Sequence, residues 1–283
     1  MREDGRVRTA VVGHVEWVQF ARVERVPGAG EIVHALEWWE EPGGGGAAAA
    51  VQLAKLSGDT LFFTALGNDH LGAMAIEALE ARGPQLQVAF RDEPTRRAFT
   101  HVDGDGERTI TVLGNRLGPR GDDPLAWAEL DGVEAAYFTA GDATALASAR
   151  RSRVLVATSR VLTVLADAGM TVDALVGSAS DPAEHYEAGK LDPPPRLVVA
   201  TEGALGGRYW VDGGPERRFG PPPLPGAIAD RYGAGDSFAG GLTFALGKGA
   251  SPADAIAFAA RCGAAALTGR GPLEGQISDP ALR

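Results

Sequence analysis

The sequence lacks the features that define several large protein classes. It contains a single cysteine, Cys262, so an intrachain disulfide framework is excluded. This thiol lies in an alanine-rich, helix-compatible stretch, where we expect a buried bystander. No run approaches the roughly 18 apolar residues of a membrane span, and residues 1–6 lack the apolar core of a secretion signal. We therefore expect a cytoplasmic protein with no membrane partner.

Basic side chains are in the minority. The 27 Lys and Arg residues face 37 Asp and Glu residues, which gives a net charge of −10, and no dense basic block occurs. Proteins that bind nucleic acid need such a block to neutralise phosphates, so we expect no nucleic-acid partner. The length of 283 residues and the 45% hydrophobic content suit a globular protein with a sizeable core.

Three common catalytic signatures are also missing. The closest approach to a P-loop, GKG at 247–249, ends in glycine and lacks the required spacing. The five histidines are scattered and, with one cysteine, form no zinc pattern. The glycine run at 43–46 has no G-x-G-x-x-G turn, so a dinucleotide fold is not supported.

Short apolar runs alternate with helix-compatible stretches along most of the chain. The runs predict strands at 9–12, 61–65, 135–138, 154–157, 174–176 and 197–200. The stretches predict helices at 47–56, 71–81, 144–151, 160–168, 236–246 and 252–267. This alternation is typical of βα units around a mainly parallel sheet.

Other segments depart from that alternation. Residues 22–32 and 96–112, the latter with a DGDG turn at 103–106, indicate extended pieces and a hairpin. They form either a small β-layer beside the main domain or ordinary surface excursions. A further hairpin is predicted from 207–211 and 217–219, before a stiff PPPLP connector. No period of 20 to 50 residues indicates a repeat architecture.

The most informative stretch is 230–241 (DRYGAGDSFAGG), where small residues give way to a predicted helix. Gly233, Ala234 and Gly235 carry little side-chain bulk, so their amides can converge on an anion at the positive end of the helix dipole. Asp236 follows directly and could accept a proton from a substrate hydroxyl. Aspartate is equally a good helix cap, so the stretch alone leaves both roles open.

Four elements, in order along the chain, carry a family resemblance. Residues 230–236 match the C-terminal signature D-T-x-G-A-G-D except at Arg231, and 201–206 (TEGALG) match T-x-G-x-x-G. Residues 43–47 (GGGGA) look like the start of G-G-x-x-x-N, and 67–72 (GNDHLG) match G-x-D-x-x-G. Together they cover most of the chain, which resembles the PfkB (ribokinase-like) carbohydrate kinases.

The resemblance implies a fold and a reaction. The fold is a three-layer α/β/α sandwich with a mainly parallel central sheet and a small β-sheet lid, formed by about 14–36 and 95–114 of a single kinase domain, 1–283. The reaction moves the γ-phosphoryl group of ATP to a hydroxyl of a sugar, polyol or similar small molecule. Asp236 would be the general base, and Gly233, Ala234 and Gly235 the anion hole.

The resemblance also implies ligands and partners. Mg²⁺ would accompany ATP, a monovalent cation such as K⁺ would bind near the anion hole, and a lid-mediated homodimer is the expected assembly. The residues implied for ATP binding are Thr201, Gly203, Gly206, Gly233, Gly235 and Gly263. Those considered for the acceptor are His14, Glu16, Gly43, Gly44 and Asp236.

This chain departs from the family at positions that contact the acceptor. Ala48 stands where the first signature has Asn, and Val18 stands where the opening element often has Asp. Because unpaired hydroxyls are costly in a closed site, the acceptor is expected to be less hydroxylated than ribose or held differently. Four aromatic residues either form an aromatic wall or pack in the lid or a dimer: Trp17, Phe20, Trp38 and Trp39.

Further departures leave alternatives open. The N-x-x-E element that orders metal-bound water falls on SASD at 178–181, where Asp181 is either a metal-site residue or a turn former. Arg231 either neutralises phosphate or points to solvent. A nucleoside kinase, with Trp17 or Phe20 stacked on a base, is one alternative function. A nucleotide- or sugar-sensing protein with weak catalysis is the other.

Overall fold

The computed structural model describes residues 7–278. Residues 1–6, on which the absence of a secretion signal rests, lie outside this range. Thirteen strands are described: β1 (Thr9–Val12), β2 (Glu16–Arg22), β3 (Glu37–Gly43), β4 (Thr60–Gly67), β5 (Gln85–Arg91), β6 (Arg97–Val102), β7 (Arg108–Leu113), β8 (Ala135–Phe138), β9 (Val154–Thr158), β10 (Ala174–Ser178), β11 (Leu197–Thr201), β12 (Gly207–Val211) and β13 (Arg217–Phe219). The helices are α1 (Gly45–Ser57), α2 (His70–Glu80), α3 (Ala143–Ala149), α4 (Leu162–Ala168), α5 (Ala234–Gly247) and α6 (Pro252–Ala266).

Nine strands form the large sheet, in the order β13-β12-β11-β10-β9-β8-β1-β4-β5. Every neighbouring pair from β11 to β5 is parallel. Strand β12 runs antiparallel to both β11 and β13, and β12 and β13 form the predicted hairpin at the sheet edge. The mainly parallel sheet is therefore confirmed, and β5 is a strand that the apolar pattern had not indicated.

Helices cover both faces of this sheet. Along β1, Val11 packs into the core beneath α1, α2, α5 and α6. Its neighbours Ala10 and Val12 point the other way, into the core beneath α3 and α4. Because successive strand residues face opposite sides, a strand buried on both faces is apolar throughout. The result is the expected three-layer α/β/α sandwich.

Local sequence explains where several helices begin. Asp69 caps α2 by accepting a hydrogen bond from the Gly72 amide at 2.8 Å, and Asp142 caps α3 through the Ala145 amide at 2.7 Å. Ser251 caps α6, and Pro252 follows at the first helical position, where its missing N–H costs nothing. No helix within 7–278 is long and apolar enough to cross a membrane.

A second, four-stranded sheet in the order β3-β2-β6-β7 forms the lid. Its first two strands lie on either side of residues 23–36, so the prediction of an extended piece at 22–32 was wrong. Pro27, Gly28 and Gly30 lie in that connection, which contains no strand residue. Strand β3 lies entirely beyond the predicted lid boundary at 36. The β6–β7 hairpin lies within the second predicted segment.

Candidate active site

The motifs singled out in the sequence meet at one edge of the large sheet, where its parallel strands end. His14 and Glu16 follow β1, Thr139 follows β8 and Arg160 follows β9. In open α/β sheets, ligands bind beyond the carboxyl ends of the strands. The N-termini of α1 and α5 open at the same edge, which makes this the candidate active site.

The start of α5 forms an open anion-binding turn. Gly233 is the N-cap in the left-handed region (φ 77°), and no described side chain caps the helix. A Cβ atom on Gly233 would lie 2.7 Å from Pro272 Cβ, whereas one on Gly235 would meet no described atom within 4 Å. The first-turn amides therefore lack side-chain caps in the described structure, and the space beside Gly235 is open. Such a turn fits a phosphate group.

Asp236 lies in the first turn of α5 rather than at its cap. The cap interpretation of Asp236 was wrong, because Gly233 occupies that position. The carboxylate is partly buried, and burial, followed by the nearby Glu184 carboxylate, raises its pKa to about 6. Arg108 and Arg160 act in the opposite direction. A carboxylate with this pKa is ionised at neutral pH and still basic enough to take a proton.

The glycine run at 43–46 connects this base to the predicted acceptor residues. A Cβ atom on Gly45 would lie 2.8 Å from Asp236 Oδ1 and 3.1 Å from Thr139 Oγ1. One on Gly44 would lie 3.1 Å from His14 Cδ2. Only glycine allows the backbone to pass between these side chains. The loop therefore brings Gly43 and Gly44 into one site with His14 and Asp236.

His14 and Glu16 form a buried polar pair. His14 Nε2 lies 3.5 Å from Glu16 Oε1, and Arg96 Nε lies 3.2 Å from the same oxygen. Burial lowers the pKa of His14, which keeps the imidazole neutral at neutral pH. Burial alone would raise the pKa of Glu16, but contact with His14 and the charge of Arg96 lower it. Among residues 7–278, His14 Nδ1 has no hydrogen-bond partner, although the residue is only 5% exposed.

The predicted nucleotide residues lie beside α5. Thr201 ends β11, and its hydroxyl donates to the Gly177 carbonyl at 3.3 Å. The turn that follows exposes Gly203, while Gly206 is buried where a Cβ atom would overlap the Phe219 carbonyl. Phe219 stacks on Phe238 of α5 at 6.1 Å. These contacts connect the 201–206 turn to the helix that carries Asp236.

The contact between α5 and α6 extends the nucleotide side. A Cβ atom on Gly263 would lie 3.1 Å from the Ala234 carbonyl, so this glycine borders the anion-binding turn. One turn earlier on α6, Ala260 lines a cleft of about 400 Å³ together with Ile256, Tyr209 and Phe219. An apolar cleft next to an anion-binding turn has the layout required by a nucleotide.

The acidic residues near the site do not form a preformed metal cluster in the described structure. Within 7–278 no three His, Cys, Asp or Glu side chains are placed to hold a metal ion together. The Asp181 carboxylate forms an ion pair with Arg160 and accepts a hydrogen bond from the Ala183 amide at 2.9 Å. Glu184 also pairs with Arg160, at 2.6 Å. Of these two acids, Glu184 is the one that raises the pKa of Asp236.

Several site residues had no signal in the sequence. Arg108 on the lid donates to the Arg231 carbonyl at 2.6 Å, and the Tyr232 hydroxyl accepts a hydrogen bond from the Gly44 amide at 3.3 Å. Glu184 and Arg160 lie in the turns after β10 and β9, and their charges act on the pKa of Asp236. Tertiary folding brings these residues together across long sequence separations, so no local spacing could have revealed them.

The structure shows where the residues that depart from the family pattern lie. Val18 is buried in the lid core beside Tyr232, and Ala48 is buried inside α1. Arg231 faces the lid, with its Nε 3.5 Å from Glu107 Oε2. Among the aromatic residues, Phe20 stacks on Trp39 at 4.8 Å, which favours lid packing over an acceptor wall.

The comparisons with known proteins agree with this geometry. The family model described as "pfkB family carbohydrate kinase" matches residues 8–182 and 171–278. An ATP-dependent ribose-1-phosphate kinase of Halopiger xanaduensis is 27% identical over 274 residues, which cover 91% of each chain. Ribokinase of Mus musculus is 28% identical over 270 residues, covering 87% of this chain and 83% of that protein.

A solved structure supports the fold. Arabidopsis thaliana ribokinase, complexed with ribose and ATP, aligns with a TM-score of 0.75 and 20% identity over 98% of this chain and 97% of that one. The family model covers almost the whole described chain. The protein belongs to the pfkB family of carbohydrate kinases and is a phosphotransferase with an alcohol group as acceptor.

Proposed function

We propose that this kinase transfers the γ-phosphoryl group of Mg·ATP to a hydroxyl of a sugar or sugar-like molecule, with Asp236 as general base. The observation that carries the proposal is the position of Asp236, in the first turn of α5 beside the open space at Gly235. Base and anion-binding amides thereby share one helical turn. Phosphoryl transfer depends mainly on such positioning and charge stabilisation.

The chemical step assigns a role to each part of the turn. Asp236 accepts the proton of the acceptor hydroxyl. The oxygen of that hydroxyl forms a bond to the γ-phosphorus, and the bond between the γ-phosphorus and the β,γ-bridging oxygen breaks. The amides of Gly233, Ala234 and Gly235 stabilise the negative charge on the transferring group. ADP leaves with the bridging oxygen. The base contributes about 10²- to 10⁴-fold to the rate.

The nucleotide lies along Thr201, Gly203, Gly206 and Gly263, with its base in the apolar cleft beside Ala260. This placement is supported by the exposed turn after β11 and by the cleft's position one helical turn from Gly263. The related Arabidopsis ribokinase was solved as a complex with ribose and ATP. The same order of elements in this chain supports a shared mode of binding.

Mg²⁺ accompanies ATP rather than occupying a preformed site. Mg²⁺ commonly keeps several waters and binds through substrate phosphates, so it needs few protein ligands. Glu184 and Asp181 are the carboxylates that would order its water, and both already contact Arg160. When bound, the ion neutralises charge on the β- and γ-phosphates. A monovalent cation near the anion hole is a further expectation, testable by comparing activity in K⁺ and Na⁺.

The acceptor binds between Gly44, His14, Glu16 and the lid. The face of the lid that carries Phe20 also carries Ile110, which is 40% exposed and free to contact it. A nucleoside acceptor is less well supported. The Phe20 ring already stacks on Trp39, and Trp17 Nε1 donates to Glu40 Oε2 at 2.9 Å. A sensing role conflicts with the intact base and turn.

The outer face of the lid is the proposed dimer surface. Trp38 pairs in register with Ala21, on the face opposite Phe20, and is 72% exposed. A second lid would cover this indole. Sedimentation of the wild type and of Trp38→Glu tests this dimer surface. A dimeric wild type with a monomeric variant supports the lid-mediated dimer, and an equal mass for both proteins contradicts it.

The experiment that tests the function is an acceptor screen with purified protein, Mg·ATP and a panel of sugars, polyols and nucleosides, read as ADP release. Asp236→Asn is the matched control, because it removes the base and keeps the side-chain shape. Sugar-dependent ADP release that the variant lacks supports the proposal. A slow ATPase that no acceptor stimulates supports the sensing alternative instead.

A further inference from the structure

A second cavity opens next to the catalytic edge, on the acceptor side. Its volume is about 460 Å³, and its walls include Ala140 and Gly141 after β8, and Arg160 after β9. The chain returning from the lid supplies Arg116 and Arg120. Arg160 is also one of the charges that lower the pKa of Asp236. The lining residue Ala140 directly follows Thr139, whose Oγ1 would lie 3.1 Å from a Cβ atom on Gly45, and the same Cβ atom would lie 2.8 Å from Asp236 Oδ1. The cavity therefore lies close to the catalytic base.

Most charged groups in this cavity already have partners. Arg91 forms a bidentate pair with Asp123, at 2.8 and 2.7 Å, and Arg160 pairs with two acids. The Glu93 carboxylate accepts a hydrogen bond from Asn115 Nδ2 at 2.9 Å. Asp142 caps α3. These groups contribute little free charge to the cavity.

Two guanidinium groups remain. Within 7–278, neither Arg116 nor Arg120 has a carboxylate within 4 Å or a side-chain hydrogen bond. Arg116 shares the cavity wall with Arg160. Two residues before it, a Cβ atom on Gly114 would lie 4.0 Å from the Cα atom of Arg96, and Arg96 Nε lies 3.2 Å from Glu16, so Arg116 lies near the acceptor residues. Arg96 and Arg160 have acidic partners, but Arg116 has none within 4 Å in the described structure. An unpaired guanidinium group next to two others is unfavourable unless a ligand supplies the opposite charge.

The convergence occurs in a chain with a net charge of −10. An arginine in such an acidic chain would ordinarily have a carboxylate nearby, yet Arg116 has none within ion-pair distance in the described structure. Arginine is well suited to bind a phosphate or carboxylate through two parallel hydrogen bonds. Arg96 lies 3.2 Å from Glu16 and could share such a ligand.

We propose that the acceptor carries an anionic group, a phosphate ester or a carboxylate, which the Arg116 guanidinium binds in this cavity with Arg96 beside it. The proposal rests on the proposed sugar kinase function and narrows its substrate class. It also accounts for the presence of Val18 and Ala48 where the family has residues that contact acceptor hydroxyls. An acceptor held through its charge needs fewer hydroxyl contacts than ribose.

The test compares neutral and anionic sugars as acceptors at saturating Mg·ATP. The panel contains ribose, ribose 1-phosphate, ribose 5-phosphate, fructose 6-phosphate, glucose and gluconate. We expect an anionic member to exceed its neutral counterpart by about 100-fold in kcat/KM. Comparison of the phosphate esters with gluconate shows whether the site prefers a phosphate ester or a carboxylate.

Variants then test whether Arg116 is the residue that binds the anionic group. Arg116→Met should lower kcat/KM for the anionic acceptor by roughly 30-fold, mainly through KM, with Arg116→Lys intermediate. KM for ATP and kcat/KM for neutral sugars should stay within about twofold of wild type. Arg97→Met is the control, because Arg97 is exposed on the neighbouring lid strand. Calorimetry of the anionic sugar with Asp236→Asn, with and without Arg116→Met, measures binding without turnover.

Each other outcome overturns the proposal. A neutral sugar as the best acceptor removes the anionic substrate and leaves the kinase function standing. An Arg116→Met variant that binds the anionic sugar normally, or that raises KM for ATP instead, removes the role of Arg116. If no sugar is phosphorylated at all, the proposed function and this inference both fail.

Discussion

The backbone of Gly45 lies against the carboxylate of Asp236 so closely that a Cβ atom on Gly45 would be 2.8 Å from Oδ1. The first residue of α1 therefore sets the space available to the carboxylate at the start of α5. This contact joins the glycine run near the N-terminus to the signature near the C-terminus. It also makes the position of Asp236 sensitive to a single methyl group.

Gly45→Ala should displace Asp236 and lower kcat by at least about 10-fold, because small misplacements of a reacting group are costly. Steady-state kinetics measure the effect. Gly132→Ala is the control, since a Cβ atom there meets no described atom within 4 Å. If Gly45→Ala matches the control in turnover, the contact does not position the base.

Gly235→Ala should lower turnover without changing the stability of the fold. The new methyl group meets no described atom within 4 Å in the unliganded protein, so thermal stability should match that of wild type. The methyl group would occupy the open space where the phosphoryl group is proposed to bind, so turnover should fall by about 10²-fold. Kinetics with full activity would place the anion hole elsewhere.

The pH dependence of kcat/KM should show an acid limb near the pKa of Asp236, which is about 6. Activity rises with pH through this limb, because the base must be ionised. Glu184→Gln removes a charge that raises this pKa, so the limb should move to lower pH. Arg108→Gln removes a charge that lowers it, so the limb should move to higher pH. Shifts in the same direction would contradict Asp236 as the titrating group.

The helix that carries Asp236 depends on close packing against α6. A Cβ atom on Gly241 would lie 2.7 Å from Cys262 Sγ. Gly241→Ala should therefore cost about 1–3 kcal/mol of unfolding free energy. Removing the sulfur in Gly241→Ala/Cys262→Ala should recover part of this loss, as urea unfolding of the double-mutant cycle would show. Additive losses would mean that the two side chains do not compete for this space.

Much of the fold could be predicted, because buried parallel strands are apolar on both faces. Strands β1 and β8 and the β12–β13 hairpin lie where the apolar runs and the turn residues indicated. The lid was harder to delimit. Strand β3 contains two tryptophans, which favour a strand, but also three acidic residues and Pro42, which do not, so its composition is ambiguous. It is a strand because β2 pairs with it along its whole length.

The candidate site divides in a similar way. Asp236 and its glycine turn lie in one contiguous motif, and the chemistry of that motif could be predicted from its residue types. Arg116, Arg160 and Glu184 could not be found this way. Arg160 begins a predicted helix and the other two lie between predicted elements, so nothing local marks them as site residues, and only the tertiary fold brings them to the catalytic edge.

Asp236→Asn removes the proposed base and leaves the rest of the site intact. In the folded protein, burial raises the pKa of Asp236 from 3.8 to about 6, so ionisation costs stability as pH rises through that interval. Asparagine avoids this cost. The variant should therefore melt no lower than wild type above pH 6, and the two proteins should converge towards pH 4. A lower melting temperature at neutral pH would show that the carboxylate stabilises the fold.

The turnover of folded Asp236→Asn with its best acceptor tests the central claim most directly. Single-turnover phosphoryl transfer should fall by about 10²- to 10⁴-fold while ATP binding by calorimetry stays close to wild type. Transfer at a rate within tenfold of wild type would show that Asp236 is not the base.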